Sequence, residues 1–217
     1  MNIRVPRVFV LCQEPNWSNF NDGISCLLQV LECYIISIEF FIIPLLSAFW
    51  IMLPAYVPNP VAAVCGGGAP IDFGKKSSDT RRILGDGKTY RGLIFGILAG
   101  IGTGLLQIWL SNTFGLPELP RHTLLSITLL ASGALIGDMC KSYFKRRLGK
   151  ERGDKWPIAD QYDLVIGAFV LMLLCDPAWL FAYVTIPVFI IILILTPILH
   201  RAVNIVGYFL GVKEVPW

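Results

Sequence analysis

Five apolar stretches, separated by loops that hold most of the charge, constrain this chain more than any other feature. A helix needs about 20 apolar residues to cross a bilayer, because each residue advances it by about 1.5 Å. The stretches without Lys, Arg, Asp or Glu are Phe40–Val57, Leu93–Leu110, Leu124–Ile136, Leu164–Cys175 and Ala178–Leu199. The composition agrees, since 55% of the 217 residues are hydrophobic and 15% are charged. We expect an all-α integral membrane protein with about five transmembrane helices.

The sequence also suggests where the membrane domain begins. Residues 1–29 show no helical period and lack the pattern of a signal peptide. We expect them to be a disordered tail or the product of a start codon placed too early. Residues 30–217 then form a single polytopic domain. Its third and fourth spans are short unless the aspartates at their ends lie at membrane depth.

The cations predict how the chain is oriented. Two basic loops, Lys75–Arg91 and Lys141–Lys155, hold 13 of the 18 Lys and Arg residues, whereas Ser111–Thr123 between them holds Arg121 alone. Because Lys and Arg favour the cytoplasmic side, both loops are expected in the cytoplasm, with the N-terminus outside and the tail from Arg201 inside. Charge alone leaves two roles open for the loops: attraction to anionic headgroups, or a polyphosphate site.

Small residues and prolines predict how the helices pack. In the second span Gly residues recur every four positions, which places them on one helix stripe where a neighbour can approach closely; they are Gly92, Gly96, Gly100 and Gly104. Prolines inside the first and last spans predict kinks, because each removes a backbone donor; they are Pro44, Pro54, Pro187 and Pro197.

Aspartates at the ends of the two short spans are the strongest functional signal. Asp138 is followed at helical spacing by Lys141, Ser142 and Lys145, so that all four share one face, and Asp160 and Asp163 share a face of the next span. Since one loop joins these spans, Asp138 and Asp160 occupy matching depths. They can converge on Mg²⁺, which one or two carboxylates commonly hold together with phosphates. The alternative is that they pair with nearby Lys and Arg.

Other sites are excluded by what the sequence lacks. A P-loop needs glycine where Arg82 stands. The metal-binding aspartates of the CDP-alcohol phosphotransferases would fall at Gly104 and Ile108. The six cysteines form no C-x-x-C pair, and His122 and His200 are far apart, which argues against a zinc or redox site.

Three segments carry a family resemblance. "SYFKRRLGKERGDKWPIADQYD" resembles the signature of membrane CTP:phosphatidate cytidylyltransferases, through Ser142, Lys145, Arg146, Pro157, Asp160, Gln161 and Asp163. "NPVAAVCGGGAPIDFGK" and "RRILGDGKTYRG" resemble more closely the archaeal branch, the CDP-archaeol synthase family. The resemblance runs from about Asn59 to Gly167, in family order. The chain departs from the bacterial members in lacking Gly-His-Gly-Gly before Asp160.

The resemblance implies a reaction and its partners. CMP would pass from CTP to 2,3-di-O-geranylgeranylglyceryl phosphate, an isoprenoid ether-linked glyceryl phosphate, with Mg²⁺ as cofactor and release of pyrophosphate. The fold would be an all-helical, multi-pass protein of the cell membrane with the active site facing the cytoplasm. The partners would be CTP, the lipid and the bilayer, with no nucleic acid.

The expected roles of the residues follow from this reaction. Asp86, Lys88, Asp138 and Lys145 are the expected catalytic residues, and Asp138 and Asp160 the metal ligands with Asp163 as helper. Lys88, Lys145, Arg81 and Arg82 would neutralise phosphates, while Gly85 and Gly87 would let the backbone approach them. Asp86 would orient Lys88 or sit in the outer shell of the metal. Gly66, Gly67 and Gly68 would fold around the nucleotide or turn the chain, and Thr89, Arg91 and Ser142 complete the binding set.

Three alternatives stay open at this point. A cytidylyltransferase for ester-linked phosphatidate shares the chemistry. A transporter would place ionisable residues inside the spans and show inverted repeats. A membrane scaffold would need no aspartates at matched depths.

Overall fold

A computed structural model of the chain describes residues 41–150 and 154–212. The predicted tail over residues 1–29 and Arg152 of the second basic loop lie outside them. All regular elements of the described part are helices. They are α1 (described over 41–56), α2 (Pro58–Val64), α3 (Tyr90–Phe114), α4 (Leu124–Arg147), α5 (Pro157–Cys175), α6 (Pro177–Tyr183) and α7 (Ile186–Phe209).

Five helical segments of the described part are long and apolar enough to cross a membrane, which confirms the predicted number. They are Phe41–Val64, Tyr90–Phe114, Leu124–Arg147, Pro157–Cys175 and Ile186–Phe209. The third and fourth are longer than the apolar stretches predict, because α4 continues past Ile136 and α5 begins before Leu164. Asp138, Asp160 and Asp163 therefore lie within helices.

Local sequence explains where these helices start and stop. The Thr89 side chain accepts a hydrogen bond from the Gly92 amide at the start of α3, and Gly115 ends that helix in the left-handed conformation. Thr123 and Ser126 form a reciprocal capping box at the start of α4. Pro157 occupies the first turn of α5, where its missing amide hydrogen costs nothing.

The fifth span differs from the predicted Ala178–Leu199. Asp176 accepts a hydrogen bond from the Trp179 amide and starts the short helix α6, and the chain breaks before α7 begins at Ile186. Pro187 lies in the first turn of α7, so it opens a helix and does not kink one. The sequence does not predict the break between α6 and α7, because the residues on both sides of it are apolar.

Two prolines inside helices each leave a backbone carbonyl without its helical donor, and side chains from other segments hydrogen-bond to these carbonyls. Pro54 leaves the carbonyl of Trp50 without its helical donor, and Gln107 Nε2 (2.8 Å) and His122 Nε2 (3.3 Å) contact that oxygen. Pro197 does the same to the carbonyl of Leu193, to which the Tyr162 hydroxyl donates at 2.9 Å. Neighbouring helices thus satisfy the backbone groups that proline frees.

The glycine stripe of α3 packs against helices on both sides, as predicted. A Cβ atom on Gly100 would lie 2.6 Å from both Ala131 Cβ in α4 and the carbonyl oxygen of Pro54 in α1. All four stripe glycines are buried. The small residues therefore set the distance at which α3 lies between its neighbours.

A second glycine crossing, between α4 and α5, was not predicted. A Cβ on Gly133 would lie 2.7 Å from the Gly167 carbonyl oxygen, and a Cβ on Gly167 would lie 2.6 Å from Gly137 Cα. The two backbones are thus in direct contact. Because Gly137 precedes Asp138 and Gly167 lies one turn after Asp163, this crossing brings the two aspartates together.

Candidate active site

A cavity of about 500 Å³ opens at the end of the bundle where the basic loops lie. Helices α2, α3, α4, α5 and α7 contribute to its walls, together with the segment that joins α2 to α3. Ten of the residues predicted for the site line it: Gly66, Gly67, Asp86, Gly87, Lys88, Thr89, Asp138, Ser142, Lys145 and Asp160. The structure therefore gathers segments from three parts of the sequence into one polar chamber.

Lys141 lies at the centre of the charged cluster in this chamber. Its Nζ atom is 3.1 Å from Asp138 Oδ1, 3.4 Å from Asp160 Oδ1 and 2.6 Å from Asp163 Oδ2. Lys145 Nζ lies 3.4 Å from Asp160 Oδ2, and Lys88 forms an ion pair with Asp138. The three aspartates do converge, and the ammonium group of Lys141 occupies the point of convergence.

Lys88 reaches this cluster because a short pairing of the chain holds it in place. The Ile71 amide donates to the Lys88 carbonyl at 2.8 Å, and the Tyr90 amide donates to the Ala69 carbonyl at 3.2 Å. Thr89 between them is buried and caps α3. Lys88 is therefore fixed at the start of a membrane helix and projects toward Asp138 in α4.

Asp72, which no sequence pattern singled out, organises the loop that carries Lys88. Its side chain is only 1% exposed and accepts hydrogen bonds from Arg82 and from the amides of Gly74, Leu84 and Gly85, at 2.7–3.3 Å. Burial alone would raise the pKa of Asp72, but these hydrogen bonds outweigh it and hold the pKa well below its usual range.

The two arginines predicted to bind phosphate make contacts within and between the loops. Arg82 Nη1 lies 2.5 Å from Asp86 Oδ1, in addition to its contacts with Asp72. Arg147, at the end of α4, donates to the Arg82 carbonyl at 2.7 Å and pairs with Asp79 at 2.5 Å. Arg81 Nη1 lies 3.4 Å from the Arg147 carbonyl oxygen. These contacts fasten the first basic loop to the second.

Several predicted residues lie outside the cavity wall. They are Gly68, Arg81, Arg82, Gly85, Arg91 and Asp163. Gly85 has a positive φ of 96° and donates its amide hydrogen to Asp72, so its glycine character serves the loop turn. Arg91 is exposed at the start of α3. Asp163 is buried behind Lys141.

Sequence reasoning assigned no role in the site to three polar side chains that line the cavity from helices: Asn59, His200 and Asn204. Asn59 lies in α2 and the other two lie in α7, on one helix face. The Oδ1 atom of Asn59 is buried without a hydrogen-bond partner among the described residues. The available signal was a polar side chain in an otherwise apolar span.

The carboxylate cluster fits a divalent cation that protein and substrate bind jointly. Three carboxylates already surround one positive charge, that of Lys141. Among residues 41–150 and 154–212, no set of three Asp, Glu, His or Cys side chains forms a metal site by itself. Mg²⁺ is usually held by one or two carboxylates, with water and substrate phosphates as its other ligands. The donor set therefore fits Mg²⁺ together with a polyphosphate.

Comparisons with known proteins agree on one family. A family model described as "CarS-like: CDP-archaeol synthase" matches residues 40–217. A CDP-archaeol synthase of Methanoregula boonei is 66% identical over 166 residues, which cover 76% of this chain and all of the relative. Another from Methanoculleus marisnigri is 58% identical with the same coverage.

A solved structure resembles the fold as well. It is described as an intramembrane enzyme for archaeal membrane lipid biosynthesis, and it is 38% identical to this chain with a TM-score of 0.62. The match covers 74% of this chain and 94% of that one.

Proposed function

Since this chain belongs to the CarS-like family of CDP-archaeol synthases, we propose that it transfers CMP from CTP to 2,3-di-O-geranylgeranylglyceryl phosphate with the help of Mg²⁺. It is a multi-pass membrane enzyme that forms CDP-archaeol in lipid biosynthesis. The nucleotide donor, the lipid acceptor, the metal and the side of the membrane are the parts that we propose.

The observation that carries this proposal is the composition of the cavity. Lys88, Lys141 and Lys145 meet Asp138 and Asp160 in a chamber of about 500 Å³, a size typical of nucleotide and cofactor sites. Lysines suit phosphates, and the aspartates suit the divalent cation that accompanies a nucleoside triphosphate. A scaffold has no use for such a cluster, and a transporter would not need it beside a glycine-rich loop.

The chemistry asks little of a general base. An oxygen of the lipid phosphate attacks the α-phosphorus of CTP, a new P–O bond forms, and the bond to the β-phosphate breaks. Because a phosphate monoester has a second pKa near 6, the nucleophile is already largely dianionic at pH 7. The leaving group is pyrophosphate, which carries away the electrons of the broken bond.

The protein must instead bring two anions together and stabilise the charge that develops. Lys88 pairs with Asp138 and Lys145 pairs with Asp160, so that they can contact two different phosphate groups. Gly66, Gly67 and Gly87 let the backbone approach the nucleotide, since no side chain intervenes. When bound, Mg²⁺ supplies charge neutralisation of the phosphates at Asp138 and Asp160.

The lipid can reach the cavity from the bilayer. A smaller apolar crevice of about 70 Å³ adjoins the chamber and shares Asn59, His200 and Asn204 with it. The other lining residues include Pro60, Leu164, Leu199 and Val203, which lie between α2, α5 and α7. The phosphate would enter the polar chamber while the isoprenoid chains stay in the membrane. The two basic loops support a cytoplasmic position for this end.

Pyrophosphate release by purified, detergent-solubilised protein tests the proposal. The reaction contains CTP, Mg²⁺ and the isoprenoid ether-linked glyceryl phosphate. Parallel reactions replace CTP by ATP or GTP, or the ether lipid by ester-linked phosphatidate. Release that needs both CTP and the ether lipid is the expected result. Equal rates with both lipids would contradict the lipid assignment, and no release from folded protein would contradict the enzyme proposal.

A further inference from the structure

We propose that Lys141 is a built-in counter-ion, which holds Asp138, Asp160 and Asp163 together until Mg²⁺ arrives and then moves onto a phosphate of the substrate. This inference rests on the proposed function, because it concerns how the same site exchanges one cation for another. It assigns Lys141 a role that its neighbours Lys88 and Lys145 do not share.

The geometry distinguishes Lys141 from the other lysines. Its Nζ atom lies within 3.4 Å of carboxylate oxygens from all three aspartates, on two different helices. Lys88 pairs with Asp138 and Lys145 pairs with Asp160, each from one side of the cluster. The side chain of Lys141 is 15% exposed, so water screens these contacts poorly.

The three carboxylates need a cation between them for the helices to approach. Like charges at short range repel, and the glycine crossing places the backbones of α4 and α5 in direct contact, which puts the carboxylates of the two helices close together. The three aspartates and the three lysines balance in formal charge. The cluster is therefore neutral with Lys141 in place and carries an excess negative charge without it.

Lys141 and Mg²⁺ would compete for the same oxygen atoms. Mg²⁺ binds oxygen at about 2.0–2.1 Å and tolerates little distortion, so an ammonium group cannot remain between the carboxylates that hold the metal. The four-carbon stem of lysine lets the ammonium group move without a change in the backbone. Because Lys141 also lines the cavity, it can move toward the phosphates of a bound nucleotide.

This exchange couples the two ligands. Moving the Lys141 ammonium group off the carboxylates would cost free energy. A nucleotide phosphate that accepts this ammonium group would offset that cost. Nucleotide should therefore strengthen Mg²⁺ binding, and Mg²⁺ should strengthen nucleotide binding by the same factor. In the Lys141→Met variant this reciprocity should weaken, since methionine offers no charge to either site.

The test is the thermal unfolding of full-length protein, followed by tryptophan fluorescence in EDTA and along a Mg²⁺ titration without nucleotide. Lys141→Met should unfold at a lower temperature than wild type in EDTA. The Mg²⁺ midpoint, which is the concentration at which Mg²⁺ has half of its effect on the unfolding temperature, should also be about tenfold lower than in wild type, because no ammonium group competes with the ion. The matched control is Lys76→Met, which removes an exposed lysine of the first basic loop.

A second variant guards against loss of folding. Lys141→Met combined with Asp163→Asn removes one charge of each sign from the same contact, and it should regain stability in EDTA. An unchanged Mg²⁺ midpoint in the single variant Lys141→Met would overturn the counter-ion role. If wild type forms product only with a divalent cation while the Mg²⁺ midpoints of wild type and Lys141→Met are equal, the proposed exchange of Lys141 for Mg²⁺ is wrong but the proposed function stands. If no divalent cation affects either unfolding or product formation, the proposed function fails with it.

Discussion

The two ends of α4 carry polar clusters of opposite character. At one end Asp138 and Lys141 belong to a charged group that faces a cavity. At the other, about 20 Å away along the helix, neutral side chains gather around a single backbone oxygen, that of Trp50. His122 also contacts Ser126 and stacks on the indole ring of Trp179.

The difference teaches which polar groups serve ligands and which serve the fold. The neutral cluster supplies donors to the carbonyl that Pro54 leaves without a helical partner in α1. Two of its members also donate to backbone carbonyls: Trp50 to that of Pro120, and Trp179 to that of Arg121. The charged cluster directs its groups at each other across an open chamber. Charged side chains in a cavity that satisfy no backbone group left unpaired by the fold indicate a binding site.

The largest effect on turnover should come from removing a charge at the cavity end. Asp138→Asn takes away the carboxylate that Lys88 and Lys141 share, so turnover should fall by about 1,000-fold or more. Pyrophosphate release measures it, and unfolding temperature shows that the protein still folds. At the neutral end, Gln107→Leu should leave turnover within about threefold of wild type and lower stability instead. Equal losses of turnover in both variants would break the comparison.

The next effect concerns the glycine crossing that brings the aspartates together. In Gly137→Ala the added methyl group would overlap the Asp163 carbonyl, so α4 and α5 must separate. We expect a loss of about 3 kcal/mol in the free energy of unfolding and little remaining turnover. Gly102→Ala is the matched control, because nothing lies within 4 Å of its added methyl group. A fully active Gly137→Ala enzyme would show that the close crossing is not needed for the site.

A smaller effect should come from Asp72, which acts on the site through the loop. Asp72→Asn breaks the bidentate contact with Arg82, so Lys88 should be held less firmly and the KM for CTP should rise by about tenfold, more than kcat falls. The lowered pKa of Asp72 means that its contribution to stability is present at neutral pH and is lost in acid. Because the loss develops as the pH falls below about 4, unfolding at pH 7 and at about pH 2 measures it. Asp79→Asn, at a more exposed position, is the control, and an equal rise of KM there would remove the special role of Asp72.

The sequence predicts the helices better than it predicts the loops between them. Apolar length identifies five spans, and the stripe from Gly92 to Gly104 identifies a packing face. The aspartates could be assigned because helical spacing and matched depth follow from position in a span. The break before α7 is invisible to hydropathy, because both sides of it are apolar.

The loop contacts depend on tertiary pairing that no local pattern encodes. Arg81 and Arg82 were assigned to phosphate because of their charge, but Asp72 and Arg147 compete for them in the folded loop. Asn59 and Asn204 line the same cavity only because the fold brings α2 and α7 to it. Such pairings join residues far apart in the chain, so they become visible only when the helices are placed.

The smallest effect on turnover, and the sharpest test of the neutral end, is the titration of His122. Burial lowers the pKa of His122 to about 4, although its contact with the Trp50 carbonyl opposes the shift. Since the unfolded chain has a histidine pKa near 6.5, unfolding takes up a proton between these two values, and stability falls as the pH drops through that interval. At pH 5.5 the loss should be about 1 kcal/mol relative to pH 7.5. His122→Gln keeps a donor for the Trp50 carbonyl and does not titrate. Between pH 7.5 and pH 5.5 the unfolding free energy of this variant should therefore fall by about 1 kcal/mol less than that of wild type. An identical pH dependence in both proteins would mean that His122 is not buried as a neutral group, and the contrast between the two ends of α4 would fail.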